Sequence, residues 1–121
     1  MISTTVMHDC CSKGYEEQEV YGAYKIFFGT LVSQSRLQII NLLRKGKMNV
    51  SEIVKELKAD QSAVSHDLAR LRECGFVKIT NDGKYRYYSL NEETIKPLMT
   101  LIDKHMAANC IHILRKREGK E

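Results

Sequence analysis

The segment from Asp60 to Gly75, DQSAVSHDLARLRECG, constrains the fold of this chain more than any other. Val64, Leu68 and Leu71 recur at the i, i+4, i+7 spacing of one helical face. Asp60 can cap the start of a helix with its carboxylate, and Gly75 follows where a left-handed residue would end it. The sequence therefore predicts a helix between these two residues, with one apolar ridge.

The other face of this predicted helix carries only short or hydrogen-bonding side chains. They are Gln61, Ser62, Ser65, His66, Ala69 and Arg70. A helix with such a face can dock on a core and still enter a DNA major groove, where its N-terminal half reaches base edges. Arg70 is expected at a phosphate, whereas Asp67 either accepts from a cytosine amino group or faces the core. Alone, the same pattern is more typical of an ordinary amphipathic helix with a solvated face.

Three helices are predicted before this segment. We expect them over residues 15–29, with an aromatic stripe, over 33–44, and over 51–57, with Ser51 as the cap. Residues 58–60 form a brief turn between the third helix and the central one. Two short helices joined by a tight turn make a helix-turn-helix.

After the central helix the apolar period changes to two. Residues 76–80 alternate as a strand, residues 81–83 (Asn-Asp-Gly) predict a hairpin turn, and residues 84–90 return as a second strand. If the central helix is a recognition helix that enters DNA, the basic hairpin directly after it is a wing, which can lay Lys84 and Arg86 along a phosphate backbone. The alternative is that Lys84 and Arg86 only make the exposed strand soluble.

A final helix is predicted over residues 97–117, after Asn91 as the cap and a turn over residues 92–96. Pro97 belongs near its first turn, because deeper in a helix proline removes a hydrogen bond. Its apolar positions exceed what a small winged domain can cover: Leu98, Leu101, Ile102, Ala108, Ile111 and Leu114. We infer that this helix pairs with the first helix and with its own copy in a homodimer.

These elements predict a mostly α fold with a small β-hairpin, ordered α-α-α-α-β-β-α: a winged helix-turn-helix that dimerises through its first and last helices. The domain covers residues 15–117, between a flexible arm over 1–14 and a solvated tail over 118–121. The 121 residues suffice for one core, and a net charge of +4 permits a polyanionic partner without proving one. We find no membrane-length apolar run and no signal-peptide pattern, so we expect a cytoplasmic protein with reduced thiols.

The adjacent pair Cys10-Cys11 gives the sharpest sensory signal. Two neighbouring thiolates can bind a soft metal or metalloid ion, and a third cysteine would complete a three-sulfur site. Cys110 is the best third candidate, because it shares a stripe of the last helix with Asp103 and Met106. Two alternatives stay open: the pair is incidental in a loose terminus, or Cys110 is a small buried residue. No metal is expected to be required for folding.

Other reactive side chains favour structural roles. Cys74, at the end of the central helix, is expected to pack. His105 and His112 are seven residues apart on one helical face, where interface packing or a pH response is as plausible as metal ligation. We find no nucleophile, base and acid at catalytic spacing, and no glycine loop that could cradle a phosphate. The sequence therefore disfavours an enzyme.

The stretch from about Phe28 to Asn91 resembles the ArsR family of winged-helix repressors, also called the ArsR/SmtB family. The segments LVSQSRLQIINLL and QSAVSHDLARLRECGFVKITNDGKYRYYSL carry the resemblance. It implies a homodimer that binds double-stranded DNA at an inverted-repeat operator and is released by a metal, a metalloid or a redox signal.

Two metal sites implied by the resemblance are incomplete. The soft-metal motif of the family has cysteines on the helix before the recognition helix, whereas residues 49–53 here read NVSEI. On the last helix, Asp103 and His105 match one half of a second site. The other half would fall near Lys116 and Gly119, which cannot ligate.

The leading hypothesis is a DNA-binding transcriptional repressor released by a thiophilic ion, such as arsenite, bound to Cys10, Cys11 and Cys110. The expected DNA contacts are Gln61, Ser62, Ser65, His66, Arg70, Lys84 and Arg86. A thiol redox or persulfide sensor of the same fold is one alternative. A protein-interaction module that does not bind DNA is the other.

Overall fold

The computed structural model describes residues 13–119. The helices are α1 (Glu17–Leu31), α2 (Gln34–Leu43), α3 (Val50–Leu57), α4 (Gln61–Glu73), α5 (Ile95–Ala108) and α6 (Cys110–Arg117); the strands are β1 (Met48–Asn49), β2 (Val77–Asp82) and β3 (Tyr85–Leu90). The strands form one antiparallel sheet in the order β1-β3-β2. The predicted winged helix-turn-helix is confirmed. The expected N-terminal arm falls almost entirely outside the described residues.

The core lies between α2, α4 and the sheet, and is closed by α3 and the start of α5. The predicted ridge of α4 is confirmed, because Val64, Leu68 and Leu71 are all buried. Phe76, just beyond α4, is fully buried and stacks on Phe27 of α1, with 5.1 Å between the ring centroids. The ridge fixes which side of α4 faces the protein, and hence which side is left to solvent.

Both ends of α4 have the predicted chemistry. A carboxylate oxygen of Asp60 accepts from the backbone N–H of Ala63 at 3.0 Å. Gly75 has φ +77°, and its N–H donates to the carbonyl of Arg72 while that of Phe76 donates to Leu71. These two bonds form a Schellman motif, which satisfies carbonyls that a helix end leaves unpaired.

The cap of α3 is Asn49, so the prediction of Ser51 is wrong. The side-chain oxygen of Asn49 accepts from the N–H of Glu52 at 2.8 Å, and the Glu52 carboxylate accepts from the N–H of Asn49 at 3.0 Å. This reciprocal capping box starts the helix at Val50. Strand β1, which includes Asn49, was not predicted, because two residues are too few to show a period.

The wing has the predicted strands but a shorter turn. The pairing of β2 with β3 continues as far as Asp82 opposite Tyr85, so the loop contains only Gly83 and Lys84. The predicted turn over residues 81–83 therefore began two residues too early and ended one residue too early. Gly83 has φ +64°, and this backbone geometry fits glycine at the first position of a two-residue hairpin loop.

Asn91 caps a turn and not a helix. Its side-chain oxygen accepts from the backbone N–H groups of Glu93 and Thr94, at 3.1 and 3.3 Å. The N-cap of α5 is Thr94, whose side chain makes no capping bond. Helix α5 starts at Ile95, two residues before the predicted start, and Pro97 lies in its first turn as expected.

The predicted single helix over residues 97–117 is wrong, because Asn109 separates α5 from α6. This residue has φ −131° and ψ −72°, and both its backbone N–H and its side-chain amide donate to the carbonyl of His105. An amide that bonds back to the preceding turn competes with the regular helical ladder. The regular helix is therefore interrupted at Asn109, before the eight residues of α6.

The terminal helices leave large apolar side chains exposed. Helix α6 buries none of its residues, and α1 buries only Val20 and Thr30. The exposed apolar side chains of α1, α5 and α6 include Tyr21, Ile26, Phe28, Leu101, Met106, Ile111, Ile113 and Leu114. None of the helices described between residues 13 and 119 is long and apolar enough to cross a membrane.

Candidate nucleic-acid interface

The exposed face of α4 brings together four of the residues predicted to reach base edges. They are Gln61, Ser62, Ser65 and His66, all in the N-terminal half of the helix and all exposed. Ala69 continues this face toward the C-terminus. Near Ala69 the side chains are short, so the helix surface can approach the major groove of DNA closely. Near the N-terminus of the helix the side chains can form hydrogen bonds with base edges.

Asp67 does not share that face. It is buried, and its carboxylate accepts from the hydroxyl of Ser35 at 2.7 Å. The guanidinium of Arg36 lies 3.4 Å from the other carboxylate oxygen. Of the two roles considered for Asp67, the structure favours the one facing the core, because both partners belong to α2.

Arg70 lies at the edge of α4 and not among the exposed residues. It is partly buried, and its Nε donates to the hydroxyl of Thr30 in α1 at 3.3 Å. The structure therefore does not bring Arg70 together with Gln61, Ser62, Ser65 and His66. Its predicted role at a phosphate stays a prediction.

The two cations predicted on the wing have different surroundings. Arg86 of β3 faces α4 across a groove of about 600 Å³, which Ser65 and Ala69 also line. Lys84 lies in the hairpin loop with its ammonium 5.4 Å from the centre of the Tyr85 ring. Arg86 is thus brought next to the exposed helix face, whereas Lys84 marks the tip of the wing.

Arg72 is a candidate that the sequence reasoning missed. It is exposed and lines the same groove as Arg86, so two guanidinium groups flank the space between α4 and the wing, with Glu73 as the acidic neighbour. Ser65, Ala69 and Arg72 recur at the i, i+4, i+7 spacing of one helical face. Extending the polar face of α4 by one more turn would have found it.

The residues considered for sensing are only partly described. Cys110 is exposed and is the first residue of α6, whereas Cys10 and Cys11 lie outside the described residues. Cys74 packs partly buried against the core as expected, with its Sγ 3.1 Å from the hydroxyl of Thr30.

The metal site that the resemblance implies on the last helix does not fit the side chains. Asp103 pairs with the guanidinium of Arg44 at 2.7 Å, and His105 and His112 are exposed. Within residues 13–119, no three His, Cys, Asp or Glu side chains lie close enough together to hold a metal ion. The carboxylate of Asp103, which would be the first ligand of that site, is instead paired with the guanidinium of Arg44.

Comparison with known proteins identifies the family. The family model of bacterial regulatory proteins of the arsR family matches residues 33–78, from the start of α2 into β2. The helix-turn-helix transcriptional regulator MJ1325 of Methanocaldococcus jannaschii is 33% identical over 86 residues, which cover 70% of this chain and 97% of the relative. The arsenical resistance operon repressor of Bacillus subtilis is 28% identical, over 69% of this chain and 81% of its own.

A solved structure agrees with these relatives. The crystal structure of Mycobacterium tuberculosis Rv0081 matches with a TM-score of 0.71 and 28% identity, covering 85% of this chain and 98% of the other. The match therefore extends over most of the winged helix-turn-helix and not over α4 alone. This chain therefore belongs to the ArsR family of DNA-binding winged helix-turn-helix transcriptional regulators, which are not enzymes.

Proposed function

We propose that this chain is a cytoplasmic, homodimeric repressor that inserts the exposed face of α4 into the major groove of an operator and lays its wing on the adjacent backbone. The observation that carries the proposal is the groove between α4 and β3, where Arg72 and Arg86 flank a helix face of small side chains. Duplex DNA offers a matching pattern of base edges between two rows of phosphates.

The contacts divide by chemistry. Gln61, Ser62, Ser65 and His66 can donate to or accept from base edges, so we assign them to sequence reading. Arginine and lysine side chains carry the positive charge that phosphate attracts, and we assign these residues to the backbone: Arg72, Lys84 and Arg86, with Arg70 at the partly buried edge of α4. Backbone contacts position the protein without selecting a sequence, so the two sets should respond differently to substitution.

A second copy of this chain is the partner that we propose for the terminal helices. Ile111 and Leu114 of α6 are 46% and 50% exposed, and Phe28 of α1 is 57% exposed. Apolar surface on both terminal helices suits a self-complementary interface, in which each copy contributes the same patch. A two-fold dimer would present two α4 helices to the two halves of an inverted repeat.

Salt dependence tests the DNA assignment. A duplex enriched by the wild-type chain from a random library is the probe, and its affinity is measured against salt concentration. Arg72→Ala or Arg86→Ala should each reduce the slope of log K against log salt by about 1.8 for the dimer, because one phosphate contact, which contributes about 0.9, is lost in each of the two subunits. Arg117→Ala, which removes the same charge from the end of α6, is the matched control and should leave the slope unchanged. A slope near zero for the wild type would instead support a protein-interaction module.

We further propose that arsenite or a similar thiophilic ion binds Cys10, Cys11 and Cys110 and releases the DNA. Neither family metal site has a complete ligand set in this chain, which leaves its cysteines as the soft donors. As(OH)₃ would exchange its three hydroxyls for three thiolates, with each thiol proton leaving in a water molecule. The ion can shift the equilibrium only if it binds the DNA-free form more tightly than the bound form.

The test is release of the enriched duplex on titration with arsenite. The Cys10→Ser/Cys11→Ser double variant should bind DNA as the wild type does and no longer respond to arsenite. A double variant that still responds would overturn the assignment. Mass spectrometry after peroxide treatment separates the redox alternative, because a disulfide from Cys10 or Cys11 to Cys110 would then form without bound arsenic.

A further inference from the structure

Helix α4 has a third face, which lies outside both the apolar ridge and the residues assigned to base edges. Asp67, Arg70 and Cys74 recur at the i, i+3, i+7 spacing of one helical stripe. All three side chains are at least partly buried, and all three have polar partners in the last turn of α1 or at the start of α2. The stripe is therefore polar and faces the corner between α1 and α2.

Thr30 is the centre of this contact. It is fully buried, and its hydroxyl donates its single proton to the carbonyl of Ile26 at 2.8 Å. The same oxygen accepts from Nε of Arg70 at 3.3 Å and lies 3.1 Å from Sγ of Cys74. Since the hydroxyl proton is already used, the Cys74 thiol is the donor in the last pair. One threonine oxygen thus uses its proton and both lone pairs, two of the three bonds going to α4 and its C-cap.

Arg36 makes a second link between the same elements. Its Nε donates to the carbonyl of Thr30 at 2.7 Å, and one terminal nitrogen donates to the carbonyl of Gly29 at 3.3 Å. Its other terminal nitrogen pairs with Asp67 of α4, which also accepts from Ser35. Arg36 thereby satisfies two carbonyls at the C-terminal end of α1, where a helix leaves its carbonyls unpaired. The same guanidinium also links this end of α1 to α4 through Asp67.

We propose that this set of bonds, the Thr30 latch, positions α4 for sequence reading by fixing it to the last turn of α1. The latch consists of Thr30 and Arg36 on one side and Asp67, Arg70 and Cys74 on the other. Burial of the apolar ridge is a non-directional contribution, whereas hydrogen bonds at two points depend on distance and angle and so select one position and rotation of α4. Because α1 is a proposed dimer helix, the latch also connects the dimer interface to the reading face. The inference rests on the proposed function.

Thr30→Val tests the latch, because valine has nearly the shape of threonine but cannot bond Arg70 or Cys74. Its affinity for the enriched duplex should fall about tenfold, while that for a scrambled duplex stays within about twofold, so that the specificity ratio falls. Thr100→Val is the matched control: its hydroxyl also bonds the carbonyl four residues earlier, but on the exposed side of α5. The circular dichroism spectra of both variants should match that of the wild type at the assay temperature. Thr30→Val should melt at a lower temperature, because it leaves the donors of Arg70 and Cys74 without their buried acceptor.

An unchanged specificity ratio in folded Thr30→Val would overturn the latch. If the wild-type chain enriches no duplex at all, the DNA-binding proposal fails instead, which distinguishes the two failures. A second pair of variants covers a folding defect at Thr30, because Cys74 is only partly buried. Cys74→Ser keeps a donor to Thr30 and should keep the ratio, whereas Cys74→Ala should lower it; equal ratios for serine and alanine would contradict the latch.

Discussion

Helices α4 and α6 show opposite relations to the rest of the chain. Helix α4 is fixed by its buried ridge on one side and by the Thr30 latch on another, and only the face proposed to contact DNA is exposed. Helix α6 buries no residue and exposes Ile111, Ile113 and Leu114. The reading helix is therefore positioned by its own chain, whereas the last helix offers an apolar surface that nothing in residues 13–119 covers.

This difference separates two sources of stability. Burial of the α4 ridge contributes to folding of each chain by itself, at roughly 25 cal/mol per Å² of apolar surface. The apolar surface of α6 contributes only when a second copy covers it, and that contribution grows with protein concentration. Substitutions in the two helices should consequently differ in how their effects depend on concentration.

The largest expected effect is that of Leu68→Ala under α4. Removing a fully buried leucine costs about 2–5 kcal/mol of the free energy of unfolding, because transfer free energy is lost and a cavity remains. Urea denaturation over a range of protein concentrations should show this loss at every concentration. Leu114→Ala in α6 is the matched control, and it should shift the midpoint only where dimers form. Equal, concentration-independent losses would contradict the contrast between the helices.

The next effect concerns association. The double variant Ile111→Asp/Leu114→Asp places charges on the exposed apolar surface of α6, and we expect the dimer to dissociate at least about tenfold more readily. Sedimentation equilibrium gives the dissociation constant. The circular dichroism spectrum of the diluted variant should match that of the diluted wild type, since Ile111 and Leu114 are both exposed within a single chain. A dimer of unchanged affinity would place the interface elsewhere.

The smallest effect compares helix starts. Asp60→Ala removes the capping bond of α4 and should cost about 1 kcal/mol of unfolding free energy. Thr94 is the N-cap of α5 but its side chain makes no capping bond, so Thr94→Ala should change stability by less than about 0.5 kcal/mol. Thermal or urea unfolding measures both. A larger loss at Thr94 would mean that the terminal helices depend on their own caps more than α4 does.

The sequence predicted those features whose signals lie within a few residues. Asp60 and Gly75 mark the start and the end of α4 through local capping chemistry, and the apolar ridge of α4 follows from helical spacing alone. The strands of the wing followed from alternation, although the turn was shifted because pairing opposite Tyr85 extends β2 to Asp82. Local signals locate an element well and its last residue less well.

The rest depends on partners far away along the chain. Arg70 bonds Thr30, 40 residues earlier, and Asp67 bonds Ser35, 32 residues earlier, so no local pattern could show that the polar stripe of α4 faces inward. Ion pairing of Asp103 with Arg44 is similarly non-local. At Asn109 the signal is local but weak, because an asparagine in a helical pattern does not always break it.

The break between α5 and α6 at Asn109 bears on the length of DNA that a dimer would span. If two copies join through α6, the angle at which this helix leaves α5 sets the separation of the two reading helices. In a two-fold dimer that separation must match whole turns of the duplex, about 34 Å each. A continuous helix through residue 109, as Asn109→Ala would favour, should alter the preferred number of base pairs between half-sites while each half-site keeps its sequence.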